Sequence, residues 1–324
     1  MFDEYYQPKS LAEAARWLSD APGRRALGGG TSVLPALKRS PAVSGGRWAD
    51  LTGLKELKAW GVRADGALRL GAGLTFSELS RLNPPGWENN PLIEAAGLTT
   101  GPQIRNQATL GGNLLAVGNT DLGGPLLALK AGLELFGPKG VREIPFGDFI
   151  ERLPPRPNCP DYGCGGFKNE KCPPLKGCLP FSGDRPKQAP VWIESGAALE
   201  AGEFISALLL PANGLRWAYQ RYAAREALDF PLASVCLGLA AGPDGRLTEL
   251  RLGLVGPEGR PRLAEKTMTA AFASGLGDGG AIESALRAEL NQWPCRRPCQ
   301  EFRHHIMATL AGCALKRIGG QVKS

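Results

Sequence analysis

Two glycine-rich stretches in the first third of the chain constrain it more than anything else: Gly28-Gly29-Gly30-Thr31-Ser32 and Thr109-Leu110-Gly111-Gly112-Asn113. Glycine lets a backbone approach a ligand closely, and turns built from it present several N–H groups to one anion. Each stretch follows a segment readable as a strand, so the pair can grip a diphosphate from two sides. Neither is the G-x-G-x-x-G of a doubly wound nucleotide site or the G-x-x-x-x-G-K-[ST] of a P-loop.

Punctuation divides the rest. Ser10-Leu11-Ala12-Glu13 is a capping box that opens a helix through Trp17 and Leu18, and Pro22-Gly23 ends it. Short strands are expected at Arg25–Leu27, around Trp48–Leu51 and at Leu68–Ala72, with a second capping box at Thr75-Phe76-Ser77-Glu78. Pro91 to Gly97 and Gly124 to Lys130 read as helices, and Leu133–Phe136 as a strand turned by Gly137-Pro138-Lys139-Gly140. Strand and helix alternate without a regular βαβ rhythm, which favours an α+β fold. Further on, Leu232–Ala241 alternates apolar and small residues, Pro243-Asp244-Gly245-Arg246 is a hairpin turn, and Leu250–Val255 is its partner strand. Helical patterns follow over Leu263–Gly275 and Ala281–Leu290. A last helix from about Cys299 to Ile318 is expected to bury Phe302, Ile306, Leu310 and Cys313.

The chain has 324 residues, room for two or three domains. Mean hydropathy is −0.15 and no long apolar run is present, which excludes a membrane-spanning helix. The opening Met1-Phe2-Asp3-Glu4-Tyr5-Tyr6 carries acids and no apolar core, unlike a secretory signal. A cytoplasmic location follows as an expectation. The net charge of +7 comes from Lys and Arg scattered beside acids, which argues against nucleic acid and for a mildly basic, solvated surface.

Four of the eight cysteines crowd into one Pro/Gly-rich segment, Cys159, Cys164, Cys172 and Cys178, in a C-x4-C-x7-C-x5-C pattern. Such a loop cannot build a core, so something must pin it. Disulfides are disfavoured in a reducing compartment, and four thiolates suit Zn²⁺ or an iron–sulfur cluster. The spacing matches neither zinc knuckles nor the common ferredoxin runs, so both metals stay open. Cys236 and Cys313 read as small buried hydrophobes, Cys295 and Cys299 as a C-x3-C pair of undecided role, and His304 and His305 as surface or interface residues.

The run Gly101-Pro102-Gln103-Ile104-Arg105-Asn106-Gln107-Ala108-Thr109-Leu110-Gly111-Gly112-Asn113-Leu114 resembles the flavin loop of the FAD-binding medium subunits of molybdenum hydroxylases. That family comprises complexes of the xanthine dehydrogenase, carbon monoxide dehydrogenase and 4-hydroxybenzoyl-CoA reductase types. Ala26–Leu34 resembles its first flavin loop, Asn119-Thr120-Asp121 the segment whose Asp contacts the cofactor, and Tyr219–Arg225 with Asp229–Val235 the start of its C-terminal domain. The resemblance runs to about Lys316, broken between roughly Glu151 and Trp192. It implies a flavin fold of the vanillyl-alcohol-oxidase type in two α+β subdomains, followed by an antiparallel sheet with helices. The implied domains are residues 1–55, 56–213 with a Cys-rich insertion at 151–192, and 214–324.

By the same resemblance, Leu27, Gly28, Gly29, Gly30, Thr31, Ser32, Val33 and Leu34 wrap one side of an FAD diphosphate. Thr109, Gly111, Gly112 and Asn113 approach the other side. Asp121 contacts the cofactor or caps the helix that follows it. Ile205 packs against the adenine or dimethylbenzene end or is plain core. Arg221 stands where relatives carry a Lys near the isoalloxazine, or forms a salt bridge. The implied role is electron transfer between FAD, a molybdopterin-binding large subunit, a [2Fe–2S] small subunit and an external carrier such as NAD, ferredoxin or quinone. Some relatives carry a [4Fe–4S] cluster on an inserted loop, which favours iron at the four cysteines, with zinc as the alternative. Two other readings are a self-contained flavin oxidase or dehydrogenase and a zinc-stapled scaffold subunit with a degenerate flavin site.

Overall fold

Three short strands near the N-terminus run parallel in the order β1-β3-β2: β1 (Glu4–Tyr6), β2 (Arg24–Leu27) and β3 (Arg47–Asp50). The computed structural model describes residues 2–39, 46–115, 121–153, 198–223, 231–255, 260–274, 279–293 and 300–320. Helix α1 (Leu11–Ser19) starts where the sequence signals it, with the Ser10 hydroxyl accepting the Glu13 N–H at 3.2 Å. The Glu13 carboxylate does not close the box on Ser10. It accepts the Lys9 N–H at 2.8 Å and the Tyr6 hydroxyl instead. Ala14, Ala15, Trp17 and Leu18 form its buried face. Helix α2 (Val33–Arg39) leaves the first glycine turn.

The second unit is a five-stranded antiparallel sheet, in the order β4-β5-β8-β6-β7. Its strands are β4 (Trp60–Val62), β5 (Leu68–Gly71), β6 (Gly132–Gly137), β7 (Gly140–Pro145) and β8 (Phe204–Leu210). The central strand β8 is buried along its whole length. Six short helices surround the sheet: α3 (Phe76–Leu79), α4 (Pro91–Leu98), α5 (Pro102–Arg105), α6 (Leu110–Leu115), α7 (Gly123–Ala128) and α8 (Phe146–Arg152). The Thr75–Glu78 capping box forms in full at α3.

A four-stranded antiparallel sheet, β12-β11-β10-β9, completes the α+β architecture. Its strands are β9 (Arg216–Tyr222), β10 (Ala233–Ala241), β11 (Leu247–Val255) and β12 (Pro261–Leu263). The hairpin turn forms as its residues dictate: Gly245 has φ +76°, and the Gly242 N–H donates to the Arg246 carbonyl at 2.8 Å. Helices α9 (Glu265–Ser274), α10 (Gly279–Leu290) and α11 (Gln300–Gly320) follow. Alternation along β10 suggests one wet face, yet every residue from Ala233 to Leu239 is buried. Helix α11 packs on the sheet, and α7 of the preceding unit packs against β10 and β11. At the second contact the backbones touch: a Cβ on Gly253 would lie 2.1 Å from the Gly124 carbonyl oxygen.

Helix α11 buries a different face from the one its large side chains suggest. Met307, Ala308, Ala311, Ala314 and Ile318 are buried, whereas Phe302 is exposed, Ile306 and Leu310 are half-buried, and Cys313 is exposed. The alanines let the helix sit close to the sheet and to α10, and the bulkier residues flank that seam. His304 also departs from expectation: it is buried, its Nδ1 lies 3.3 Å from Asn291 Oδ1, and burial pushes its pKa down. His305 is exposed, with Nδ1 2.8 Å from Arg287. Cys236 is buried, as its strand position implies. Among the described residues, no helix is long and apolar enough to cross a membrane.

Candidate functional site

Strand β2 ends at Leu27, and the chain turns through Gly28, Gly29 and Gly30 before entering α2. Gly30 has φ +68°, a conformation that suits glycine, and its carbonyl accepts the Leu34 N–H at 2.9 Å. Among the described residues, the N–H groups of Gly28, Gly29, Gly30, Thr31 and Ser32 meet no protein acceptor. Such a run of undonated amides in a turn is an anion-binding concavity.

The second glycine run is the first turn of α6. Thr109 precedes it, and its hydroxyl accepts the Gly112 N–H at 3.2 Å while its carbonyl accepts that of Asn113 at 3.0 Å. The Leu110 and Gly111 N–H groups donate to the carbonyls of Leu74 and Ala72, at 2.9 and 2.8 Å. These amides are therefore spent within the protein, and the two glycines serve close packing. A Cβ on Gly111 would meet the Ala72 methyl at 2.9 Å, and one on Gly112 the Thr109 hydroxyl at 2.8 Å. The two runs also touch each other. A Cβ on Gly29 would sit 1.6 Å from the Gln107 carbonyl oxygen, and one on Gly28 would be 2.6 Å from Thr109 Oγ1.

Between the runs lies a cavity of about 560 Å³. Leu27 to Val33 line one side, Thr109, Gly111, Gly112 and Asn113 another, and Ile205 a third, together with Arg25, Trp48 and Leu199–Phe204. Its size lies within the range of small-molecule and cofactor sites. Asn113 Oδ1 is buried without a hydrogen-bond partner. A second cavity of about 590 Å³ lies behind the glycine turn, shares Leu27–Gly30 with the first, and takes Leu34 into its wall. Unacceptored amides, glycines with no room for a Cβ and an orphaned amide oxygen fit a ligand with a diphosphate and hydroxyl groups.

Asp121 and Arg221 line neither cavity. They meet in a buried cluster: Asp121 Oδ1 accepts the Tyr219 hydroxyl at 2.7 Å and Arg221 Nε at 3.2 Å, and Oδ2 accepts the Thr99 hydroxyl at 3.0 Å. Burial pushes the Asp121 carboxyl pKa up, opposed by Arg221, Tyr219 and Thr99. The residue before α7 is Leu122, and no side chain caps that helix, so Asp121 does not act as its cap. Beside the cluster, Thr100 holds φ +52°, a costly conformation for a β-branched residue, while its carbonyl accepts Arg105 at 2.9 Å. Cys159, Cys164, Cys172, Cys178, Cys295 and Cys299 lie outside the described residues, as do Asn119 and Thr120. Among the described residues no group of three or more His, Cys, Asp or Glu is placed to hold a metal. Sequence reading passed over Arg25, Trp48 and the Gln107 carbonyl. Only Arg25 had a local signal, its place two residues before the end of a strand that leads into a glycine turn.

Comparison with known proteins bears on this geometry. Residues 1–158 match the family model described as the FAD binding domain in molybdopterin dehydrogenase. The xanthine dehydrogenase FAD-binding subunit of Escherichia coli O157:H7 is 36% identical over 155 residues, 46% of this chain and 52% of that protein. The chain thus matches about half the length of such curated relatives. In solved structures, quinoline 2-oxidoreductase from Pseudomonas putida 86 superposes with a TM-score of 0.74 at 22% identity, covering 98% of this chain and 97% of that one. The Cu,Mo-CO dehydrogenase superposes with a TM-score of 0.72 at 22% identity, covering 98% of both chains. The α+β fold with its C-terminal antiparallel sheet and helices is therefore the fold of those oxidoreductase structures. Residues 1–158 are thus similar to the FAD binding domain in molybdopterin dehydrogenase, and the fold of the whole chain is that of the solved structures above.

Proposed function

We propose that this chain is the FAD-carrying electron-transfer subunit of a heteromeric molybdenum hydroxylase or reductase in the cytoplasm. The observation that carries the reading is the set of five unacceptored N–H groups at Gly28–Ser32, which face a cavity closed opposite by Thr109–Asn113. Those amides hold the diphosphate. Gly29 lets the first run touch the second, Gly111 and Gly112 let the second pack on Ala72 and Thr109, and the Asn113 amide takes a ligand hydroxyl. Thr31 adds a hydroxyl at the same wall, and Ile205 covers an apolar ring. When bound, FAD supplies the coupling between two-electron and one-electron chemistry.

Asp121 and Arg221 are held together with Tyr219 of the C-terminal sheet in a buried ion pair that lines neither cavity. The proposed partners are a molybdopterin-binding large subunit, a [2Fe–2S] small subunit and an external carrier such as NAD, ferredoxin or quinone. We further propose a [4Fe–4S] cluster on Cys159, Cys164, Cys172 and Cys178, a reading supported by four thiols crowded into one segment and by the resemblance to relatives that carry such a cluster on an inserted loop.

Acid precipitation of the native protein is expected to release a yellow supernatant containing FAD and no FMN. The native species should migrate well above 34.3 kDa together with two other polypeptides. A colourless protein refutes the flavin reading, and a monomer that turns over substrate points to the self-contained oxidase. Anaerobic protein is expected to hold about four irons on this chain. Stoichiometric zinc with no iron would make the loop a structural staple.

A further inference from the structure

Arg24 and Arg25 are neighbours on β2, and the fold treats them differently. Arg24 Nη1 donates to the Trp17 carbonyl at 2.7 Å and to Asp20 at 3.4 Å. Its Nη2 lies 3.9 Å from Glu4, and the guanidinium stacks 4.3 Å from the Trp17 ring centroid. Arg25 has neither a carboxylate nor a hydrogen-bond acceptor among the described residues. Its one contact of that kind is the face of Trp48, 5.7 Å from the ring centroid, and Trp48 itself is buried. The half-buried Arg25 lines the first cavity on the same wall as Gly28–Ser32, and its partial desolvation pushes its pKa down.

The carboxylates of that cavity are already engaged. Glu203 accepts Arg142 at 2.6 and 2.7 Å, and Glu200 lies 3.5 Å from Lys139. A guanidinium with five donors, drawn out of bulk water and given no anion, is costly to keep. Contact with the Trp48 face holds the guanidinium at this wall, and donors not spent on a protein acceptor suit the fork geometry of phosphate.

We propose that Arg25 is an anion anchor of this cavity, gripping a phosphate of the adenosine-bearing half of a dinucleotide together with the amides of Gly28–Ser32. The inference rests on the FAD reading above and adds a residue that the glycine runs do not contain. It predicts that the pull on the ligand is charge-assisted and weakens with salt.

The test is titration of flavin-stripped, full-length protein with FAD, ADP and riboflavin at two salt concentrations. R25M is expected to weaken FAD and ADP by about tenfold, leave riboflavin unchanged, and flatten the salt dependence, with R25K intermediate. In unmutated protein, ADP is expected to protect Arg25 from phenylglyoxal, read by peptide mass spectrometry, which needs no variant to fold. FAD and ADP affinities of R25M within twofold of the parent, or Arg25 modified equally with and without ADP, would overturn the anchor and leave the FAD reading standing. Parent protein that binds neither FAD nor ADP overturns both.

Discussion

Gly29 has no room for a side chain, because the atom its Cβ would strike is a backbone carbonyl that cannot rotate away. Gly29→Ala is therefore expected to cost about 1–3 kcal/mol and to lose flavin, read by thermal melting and by absorbance of the purified protein. Gly140 offers the contrast: its φ is +103° but the space around it is open, so Gly140→Ala should cost only about 1 kcal/mol of backbone strain and keep the flavin. The need for glycine at 111 and 112 was legible in sequence, but its reason was not. Both lie in a right-handed helical turn, so packing against Ala72 and Thr109 is what excludes a side chain there. A residue-scale pH effect follows from Glu203. Its bonds to Arg142 and to the Glu200 N–H hold its folded pKa below the ordinary 4.5. A lowered carboxyl pKa contributes stability above the unfolded value and loses it as pH falls through the folded one. Glu203→Gln should thus destabilise by about 1 kcal/mol at pH 7, discounted for the partly exposed Arg142, with the difference from the parent shrinking as melts are taken below pH 4.5.

At the scale of elements, the contact of α7 with β11 is as tight as the glycine turn. Gly253→Ala drives a Cβ into the Gly124 carbonyl and towards the Ala128 methyl. Denaturant titration should register a loss of about 1–3 kcal/mol, whereas Gly312→Ala, which meets only the flexible end of Glu283, should cost less. What was legible at this scale was whatever short-range chemistry writes. The Ser10 and Thr75 caps, the 243–246 hairpin and the helix over 91–98 all lie within a few residues of their signals. What was not legible depends on partners far along the chain. Strand β8 carries no alternation to read: it is the central strand of its sheet, buried along its whole length on both faces, and apolar at every position but Ser206. The face of α11 was misjudged because small residues, not large ones, make its seam. Asp121 meets Tyr219 and Arg221 from about a hundred positions away, and no local pattern announces that.

For the molecule as a whole, the C-terminal sheet is a wall shared by two cores. Trp217, Tyr219 and Cys236 point into the core built around Leu70, Phe76, Leu126 and Leu208, while Ala218, Val235 and Leu237 point into the one beneath α9, α10 and α11. A wall used on both sides couples what it divides, so urea unfolding followed by tryptophan fluorescence and by far-ultraviolet dichroism should give coincident transitions. A fragment ending at residue 213 should bind a hydrophobic dye, because it loses Trp217, Tyr219 and Cys236 from its core. The placement of Cys236 also turns the protein into its own clock. Its thiol is fully enclosed and its pKa is pushed well above the ordinary value, so an alkylating reagent reaches it only when the wall comes apart, whereas the exposed Cys313 reacts at once. The interval between those two modifications, timed by mass spectrometry, measures how seldom the two halves let go of each other.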